Sequence, residues 1–362
     1  MFRKSALLLP FVAISAVNAQ NNDFKGLEHL FTTPQTYVIA RTDTPPVIDG
    51  NIHDKVWQLT EWTDEFQDIE GNIKPKPYYP TRVKMLWDDN YLYIAAMLHD
   101  KHVWGNLTEH DEVVFFDNDF EVFIDPTNTA QQYFEIEINA RNNIFDLFLP
   151  KTYRAGGSAL IAWDSKGLKH AVHIYGSLNN PDDEDEGWSV EMAIPFKDIT
   201  VGNNTRVPKD GSVWRINFSR VQWETEIIDG KYVKRTQDGK PLPENNWVWS
   251  PQGIIDMHAP QRWGYILFSS AEPGSALPQF EVPYEEYQRQ YLWLIYYKQA
   301  EYRRNNKRFA KSLKELGLKE SVIINDINNK LQMDASAQQF NTIITDDNNS
   351  TIIINNEGFI RR

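Results

Sequence analysis

Carboxylates are the side chains whose type and spacing come nearest to chemistry in this sequence. In Tyr133–Asn139 (YFEIEIN), Phe134, Ile136 and Ile138 alternate with Tyr133, Glu135, Glu137 and Asn139. A strand of that period packs one face and offers acids on the other. The run DFEVFID from Asp119 adds Asp119 and Glu121 on a second strand. Acids on neighbouring strands could bracket a glycosidic bond, which needs two carboxyl groups about 5 to 9.5 Å apart. Against that reading, 50 acidic residues supply such pairs by chance, and no glycosidase signature surrounds these. A Ser-His-Asp hydrolase is weaker still, because no G-x-S-x-G elbow occurs.

Metal and cofactor patterns are sparse. His99 with His102, and His170 with His173, are the close histidine pairs. Residues three apart on a strand face opposite sides, so neither pair chelates well. The run DDEDE at 182–186 offers oxygen ligands and leaves room for a structural calcium, although it lacks EF-hand spacing and acidic loops are more often solvated. Gly156-Gly157 lacks the pattern of a dinucleotide or phosphate loop. No cofactor is required by any motif.

These side chains must be positioned by strands. The stretch VKMLWDDNYLYIAAML at 83–98 reads as two strands joined at Asp88-Asp89-Asn90, residues that accept tight-turn backbone angles. Further strands are expected at 120–125, 133–139, 144–149, 170–176, 188–194, 214–223 and 263–268. With no helix between most of them, the pattern predicts a mainly β protein, an antiparallel sandwich over 37–270, preceded by a lead segment at 20–36. A proline-rich linker follows at 271–283 (AEPGSALPQFEVP from Ala271). The unit at 284–362 opens with a stretch free of proline and glycine, which predicts one long helix from Tyr284 to Leu316 stopped at Gly317. A hairpin around 346–349 and a final strand at Phe359 and Ile360 complete it.

Residues 1–19 have Arg3 and Lys4, an apolar run to Val17 and a small-residue site ending at Ala19. That is the form of a secretory signal peptide cleaved near Ala19-Gln20, and it predicts a periplasmic or secreted protein. Its apolar run is too short for a membrane span. The chain has no cysteine, so disulfides, thiolate metal sites and a lipid anchor on cysteine are all excluded. A net charge of −13 disfavours nucleic acid and anionic lipid as partners. The 12 Trp, 16 Tyr and 19 Phe suit a packed β core and also flat surfaces on which sugar rings stack.

Several motifs occur in one order: VIDG at 47–50 followed by Trp57, LWDDNYLY at 86–93, DFEVFID at 119–125, WSVEMAIP at 188–195, and Trp249-Ser250-Pro251 before Trp263-Gly264. In that order the region from about Tyr37 to Phe268 resembles the family 9 carbohydrate-binding modules. The resemblance implies a β-sandwich in which a sugar ring sits between two tryptophans while carboxylate, amide and guanidinium groups bond its hydroxyls. Here Phe115 and Phe116 stand at the first stacking position, and Met257, flanked by His258, at the second. Glu121 matches the family's hydroxyl-binding glutamate. Glu135 or Glu137 stands where the family has an arginine, so Arg220 or Arg262 is expected to supply the missing donor. Trp104 and Trp223 could form a replacement platform, and Trp57, Trp87, Trp188, Trp214, Trp249 and Trp263 read as core.

The resemblance implies a non-catalytic glycan-binding protein acting beside glycoside hydrolases in polysaccharide use. The alternatives are a glycosyl hydrolase working through the acidic sheet face and, third, a haem-binding electron-transfer sandwich. Met257 and His258 are adjacent and cannot clamp one iron from opposite sides.

Overall fold

The computed structural model describes residues 22–202 and 207–362. The expected signal peptide lies outside the described residues. The chain divides into two units, one of residues 32–283 with 357–361, the other of residues 22–31 with 284–356 and 362.

The period-two runs form strands because their apolar residues can be buried only on one side of a pleated sheet. In the larger unit these are β1 (Thr36–Arg41), then the short helix α1 (Lys55–Gln58), β2 (Gln67–Asp68), β3 (Thr81–Trp87), β4 (Tyr91–His99), β5 (Asp119–Asp125), β6 (Tyr133–Asn139) and β7 (Ile144–Leu149). They continue with β8 (Lys169–Tyr175), β9 (Gly187–Pro195), β10 (Val213–Gln222), β11 (Thr225–Ile228), β12 (Lys231–Lys234), β13 (Thr236–Gln237), β14 (Lys240–Pro241), β15 (Asn245–Val248) and β16 (Gly264–Ser269). Two small hairpins, β11–β12 and β13–β14, stand apart, and the remaining strands form one 12-stranded sheet in the order β7-β6-β5-β10-β16-β1-β3-β4-β9-β8, with β15 and β2 branching from β10.

Strand β10 curls this sheet into a sandwich. One edge pairs with β5, from Arg215 to Val221. The other is shared, with β16 along Val213 to Ile216 and with β15 along Ser219 to Gln222. The interior takes Phe120, Val122 and Ile124 of β5, Phe134, Ile136 and Ile138 of β6, and Trp214, Ile216 and Phe218 of β10 against Val83, Met85, Ile94, Val190 and Met192 of the other layer. The tryptophans read as core are all buried. One departure from a purely antiparallel sandwich is β1, which runs parallel to both β16 and β3. The long connection between β1 and β3 gives the crossover that a parallel pair requires.

The ordered motifs have structural explanations. Glu191 of β9 is buried, and its carboxylate accepts from Trp57 Nε1 at 2.7 Å, Gly50 N at 2.8 Å and Asp49 N at 3.1 Å. This ties the VIDG turn and Trp57 to WSVEMAIP. Gly50 has φ +87°, and a Cβ there would lie 2.5 Å from the carbonyl carbon of Val172, so no other residue fits. Asp88 Oδ1 caps the β3–β4 turn by accepting from Asn90 N and Tyr91 N, while Oδ2 accepts from the Tyr93 hydroxyl. Trp249 lies across Gly264, where a Cβ would come within 2.4 Å of its ring.

In the smaller unit, α2 (Tyr284–Asn306) ends a full ten residues before the expected Leu316. Gln299 is the reason. Its amide accepts from Ala310 N at 2.9 Å and donates to Ala310 O at 3.0 Å, drawing the chain back along the helix, and Lys307 turns through φ +60° to allow it. A 3-10 turn, Leu313–Leu316, follows, with Ser312 at its start and Gly317 in the left-handed region at its end. The meander β17 (Ser321–Ile324), β18 (Ile327–Ala335), β19 (Phe340–Asp346) and β20 (Thr351–Asn355) then pairs antiparallel in sequence order. Among the described residues no helix is long and apolar enough to cross a membrane.

Candidate functional site

The odd-numbered residues of β5 and β6 point away from the sandwich interior, yet they are buried too. Three loops fold over them. Asp117 Oδ2 gathers the first by accepting from Asn106 N, Leu107 N and Asn139 Nδ2, which sets Phe115 above the sheet. The second carries the turn Tyr153–Ala155. The third is held by Trp263, whose indole N–H donates to Met257 O at 3.0 Å. Between loops and sheet lies a cavity of about 420 Å³, within the usual size of ligand pockets.

Its floor is acidic and its walls are aromatic and aliphatic. Glu121 lies opposite Glu137 across β5 and β6, and Glu135 is on the same face. One oxygen each from Asp119, Glu121 and Glu137 lies within 4.8 Å of the others. Phe115, Phe123, Phe145, Leu147, Tyr153, Ile161 and Met257 supply the walls, and His258, Glu244 and Asn246 add polar groups to the lining. Tyr153 is 47% exposed, and its ring meets that of His258 edge-on at 4.5 Å. The Tyr133 hydroxyl and His258 Nδ1 share a hydrogen bond of 2.9 Å.

Burial dominates the electrostatics. It pushes the Glu121 carboxyl up to about 7, with Glu244 adding to the rise. Asp119, Glu135 and Glu137 are raised well above the usual carboxylate range by burial first and by the neighbouring Glu121 charge second. Charges this close cannot all be carried out of water, so the set retains protons near neutral pH. Asp119 Oδ2, Glu121 Oε2 and Glu135 Oε2 are buried without a hydrogen-bond partner. Glu137 Oε2 accepts from Phe115 N at 3.1 Å. His258 is driven the other way, down to about 4, by burial and then by the Arg154 charge. A pocket holding both protonated and ionised carboxyls can donate and accept, which is what a polyhydroxylated ligand needs.

Residues 48–219 match the family profile described as carbohydrate family 9 binding domain-like. Residues 48–219 of the sandwich are thus a carbohydrate family 9 binding-like domain. The chain is 27% identical over 193 residues to an endo-1,4-beta-xylanase A of Thermoanaerobacterium saccharolyticum, covering 53% of this chain and 14% of that protein. It is 30% identical over 168 residues to an endo-1,4-beta-xylanase A of Thermotoga maritima, covering 44% of this chain and 13% of that protein. It thus spans only a small part of the curated relatives it matches. A family 9 carbohydrate-binding module of Caldicellulosiruptor kristjanssonii solved with cellotriose aligns with 68% of this chain and 100% of its own, at 15% identity and a TM-score of 0.42.

Phe115, Glu121, Glu135 and Glu137 of the matched region converge on this pocket with Met257 and His258, which lie beyond it, and Asp119 stands beside Glu121 at its floor. Phe116 does not join them. It is 52% exposed, with Lys234 over its ring. Arg220 does not reach Glu121 either. It is even-numbered on β10 and so points to the opposite side from Ser219, the residue paired with Glu121. Its guanidinium is buried against Asp100 at 3.0 Å and also donates to the His99 carbonyl at 2.8 Å. Arg262 donates to the Gln252 carbonyl and the Thr32 hydroxyl.

Trp223 is no platform, because Lys234 Nζ sits 3.4 Å above its ring and its indole N–H donates to Phe115 O. It packs with Trp104 and faces a separate cleft with Tyr78 and Tyr79. In the acidic run, Asp185 accepts from Val103 N and Ser177 N, so part of it is used to join loops. Sequence reasoning did not find Tyr153, Arg154, Glu244 or Asn246. Tyr153 had one signal, an aromatic residue in a loop rich in glycine. The odd positions Phe145 and Leu147 on β7 could have been read from the alternation with Ile144 and Phe148.

Proposed function

We propose that this chain is an exported, non-catalytic carbohydrate-binding protein that works beside glycoside hydrolases, and that its ligand enters the pocket above β5 and β6. The observation carrying this reading is that a pocket with an acidic floor and aromatic walls is assembled at the Glu121 position of the family 9 domain. Tyr153 and Phe115 present ring faces or edges against which the apolar side of a sugar packs. The floor carboxyls bond its hydroxyls, protonated members donating where the family's arginine is absent. The polysaccharide-degrading relatives support the partner class.

Catalysis through the same acids is the weaker reading. One oxygen each of Asp119, Glu121 and Glu137 lies within 4.8 Å of the others, but no glycosidase signature surrounds them, and proximity of buried acids alone does not make a catalytic pair. The deciding experiment is calorimetric titration with a panel of mono- and oligosaccharides, run beside a reducing-sugar assay. Binding without sugar release is expected, weakened about tenfold, or ~1.4 kcal/mol, in Tyr153→Ala. If no glycan binds, carbohydrate recognition is refuted. Sugar release abolished by Glu121→Gln would replace the binding reading with hydrolysis.

A further inference from the structure

A second cluster of ligating side chains lies outside the pocket. His110 and Asp111 belong to the loop before β5, Asp146 to β7, and Asp164 to the segment between β7 and β8. One atom from each lies within 4.8 Å of all the others. The three segments are fixed independently of any ion: Asp111 N donates to Ile144 O at 3.2 Å, and Ser165 N donates to Asp146 Oδ2 at 2.6 Å.

That second bond orients Asp146 and leaves its other oxygen with a task. Asp146 is 2% exposed, and its Oδ1 is buried without a hydrogen-bond partner, as is Oδ1 of Asp111. A buried carboxylate oxygen left so is destabilised by its lost hydration unless something binds it. Oδ1 of Asp146 lies 3.9 Å from His110 Nε2, which is also 3.6 Å from Asp111 Oδ1 and 3.5 Å from Asp164 Oδ1. An ideal tetrahedral zinc site with bonds of about 2.0–2.1 Å places its ligand atoms about 3.3–3.4 Å apart. The three separations from His110 are therefore about 0.1–0.6 Å wide of that geometry, and the carboxylate oxygens stay within 4.8 Å of one another. His110 and Asp164 are half-exposed, so an ion could enter from solvent.

We propose that His110, Asp111, Asp146 and Asp164 form a binding site for a first-row divalent cation of the zinc class. The imidazole nitrogen separates this donor set from the all-oxygen shell that calcium takes. The bound ion would tie the loop before β5 and the segment after β7 to the sheet edge at β7. This rests on observations separate from the pocket and does not depend on what the pocket binds.

The test uses the full mature chain without an affinity tag, stripped with chelator and titrated calorimetrically with zinc chloride, then with calcium chloride. One equivalent of zinc is expected to bind, and calcium at equal concentration is expected not to displace it. His110→Ala, at an exposed position that spares the fold, and Asp146→Asn, which keeps an acceptor for Ser165 N, should each weaken zinc binding at least tenfold. The proposal is overturned by absence of saturable zinc binding, by preference for calcium, or by His110→Ala binding zinc as the wild type does. Zinc binding that is lost in Glu121→Gln but kept in His110→Ala would move the site to the pocket floor and overturn it equally.

Discussion

Replacing Glu121 by glutamine should stabilise the protein above neutral pH and leave it unchanged in acid. The Glu121 carboxyl is held at about 7 against an ordinary value of 4.5. Between those values the folded state binds protons that the unfolded state has released, so stability falls as pH rises through the window and the full penalty is in force above pH 7. A shift of that size corresponds to about 3 kcal/mol at 1.36 kcal/mol per unit. Glutamine is nearly isosteric, carries no charge, and can donate its amide to the neighbouring carboxylates. The raised values of Asp119, Glu135 and Glu137, each of which includes repulsion from Glu121, should relax toward normal as well. At pH 8 the variant should therefore gain about 3 kcal/mol, or roughly 6–12 °C in Tm at ~2–4 °C per kcal/mol. At pH 4.5, where Glu121 is protonated in the folded wild type, the two should agree within about 0.5 kcal/mol. Calorimetric melting of both proteins from pH 4.5 to 8 measures this directly. Equal melting temperatures at pH 8, or a wild type whose stability climbs between pH 5 and 8 with the variant following it, would refute a charged, desolvated pocket floor.

Two further outcomes follow from the same electrostatics. His258, held down to about 4 by burial and Arg154, should stay neutral through pH 6, with its imidazole NMR signals titrating near 4; because its folded value is depressed, the stability tied to its neutral form is lost as pH falls from about 6.5 toward 4, and a midpoint near 6.5 would contradict the buried geometry. Arg220→Met strands the Asp100 carboxylate inside the sandwich, so denaturant unfolding should show a loss of about 3–5 kcal/mol, largely restored by adding Asp100→Leu.

Much of the sheet could be read from local pattern. The alternation in YFEIEIN placed β6 and its two faces, and Asp88-Asp89-Asn90 placed the β3–β4 turn, because strand period and turn chemistry are properties of a few adjacent residues. The short strands β11 to β14 were missed, since their residues are mostly exposed and carry no burial pattern. Helix α2 was read too long because the bond from Gln299 to Ala310 is a tertiary contact invisible to propensity. Arg220 has the parity of Trp214, Ile216 and Phe218 on β10, so alternation alone turns it to their face, the one away from Glu121. Phe116 and Trp223 could not be excluded that way, since Lys234 reaches both rings from another strand.

By itself the sequence determined the sandwich, its principal strands, and the side of β5 and β6 on which Glu121, Glu135 and Glu137 stand. Those depend on period and on glycines such as Gly50 that admit no substitute. Only the tertiary structure decided that three loops roof that acidic face into a pocket, that Tyr153 and His258 close one end of it, and that His110, Asp111, Asp146 and Asp164 meet elsewhere. The physical reason is that burial and proximity between distant segments set a carboxyl's protonation and a cluster's ligand geometry, and neither is encoded within reach of a single strand.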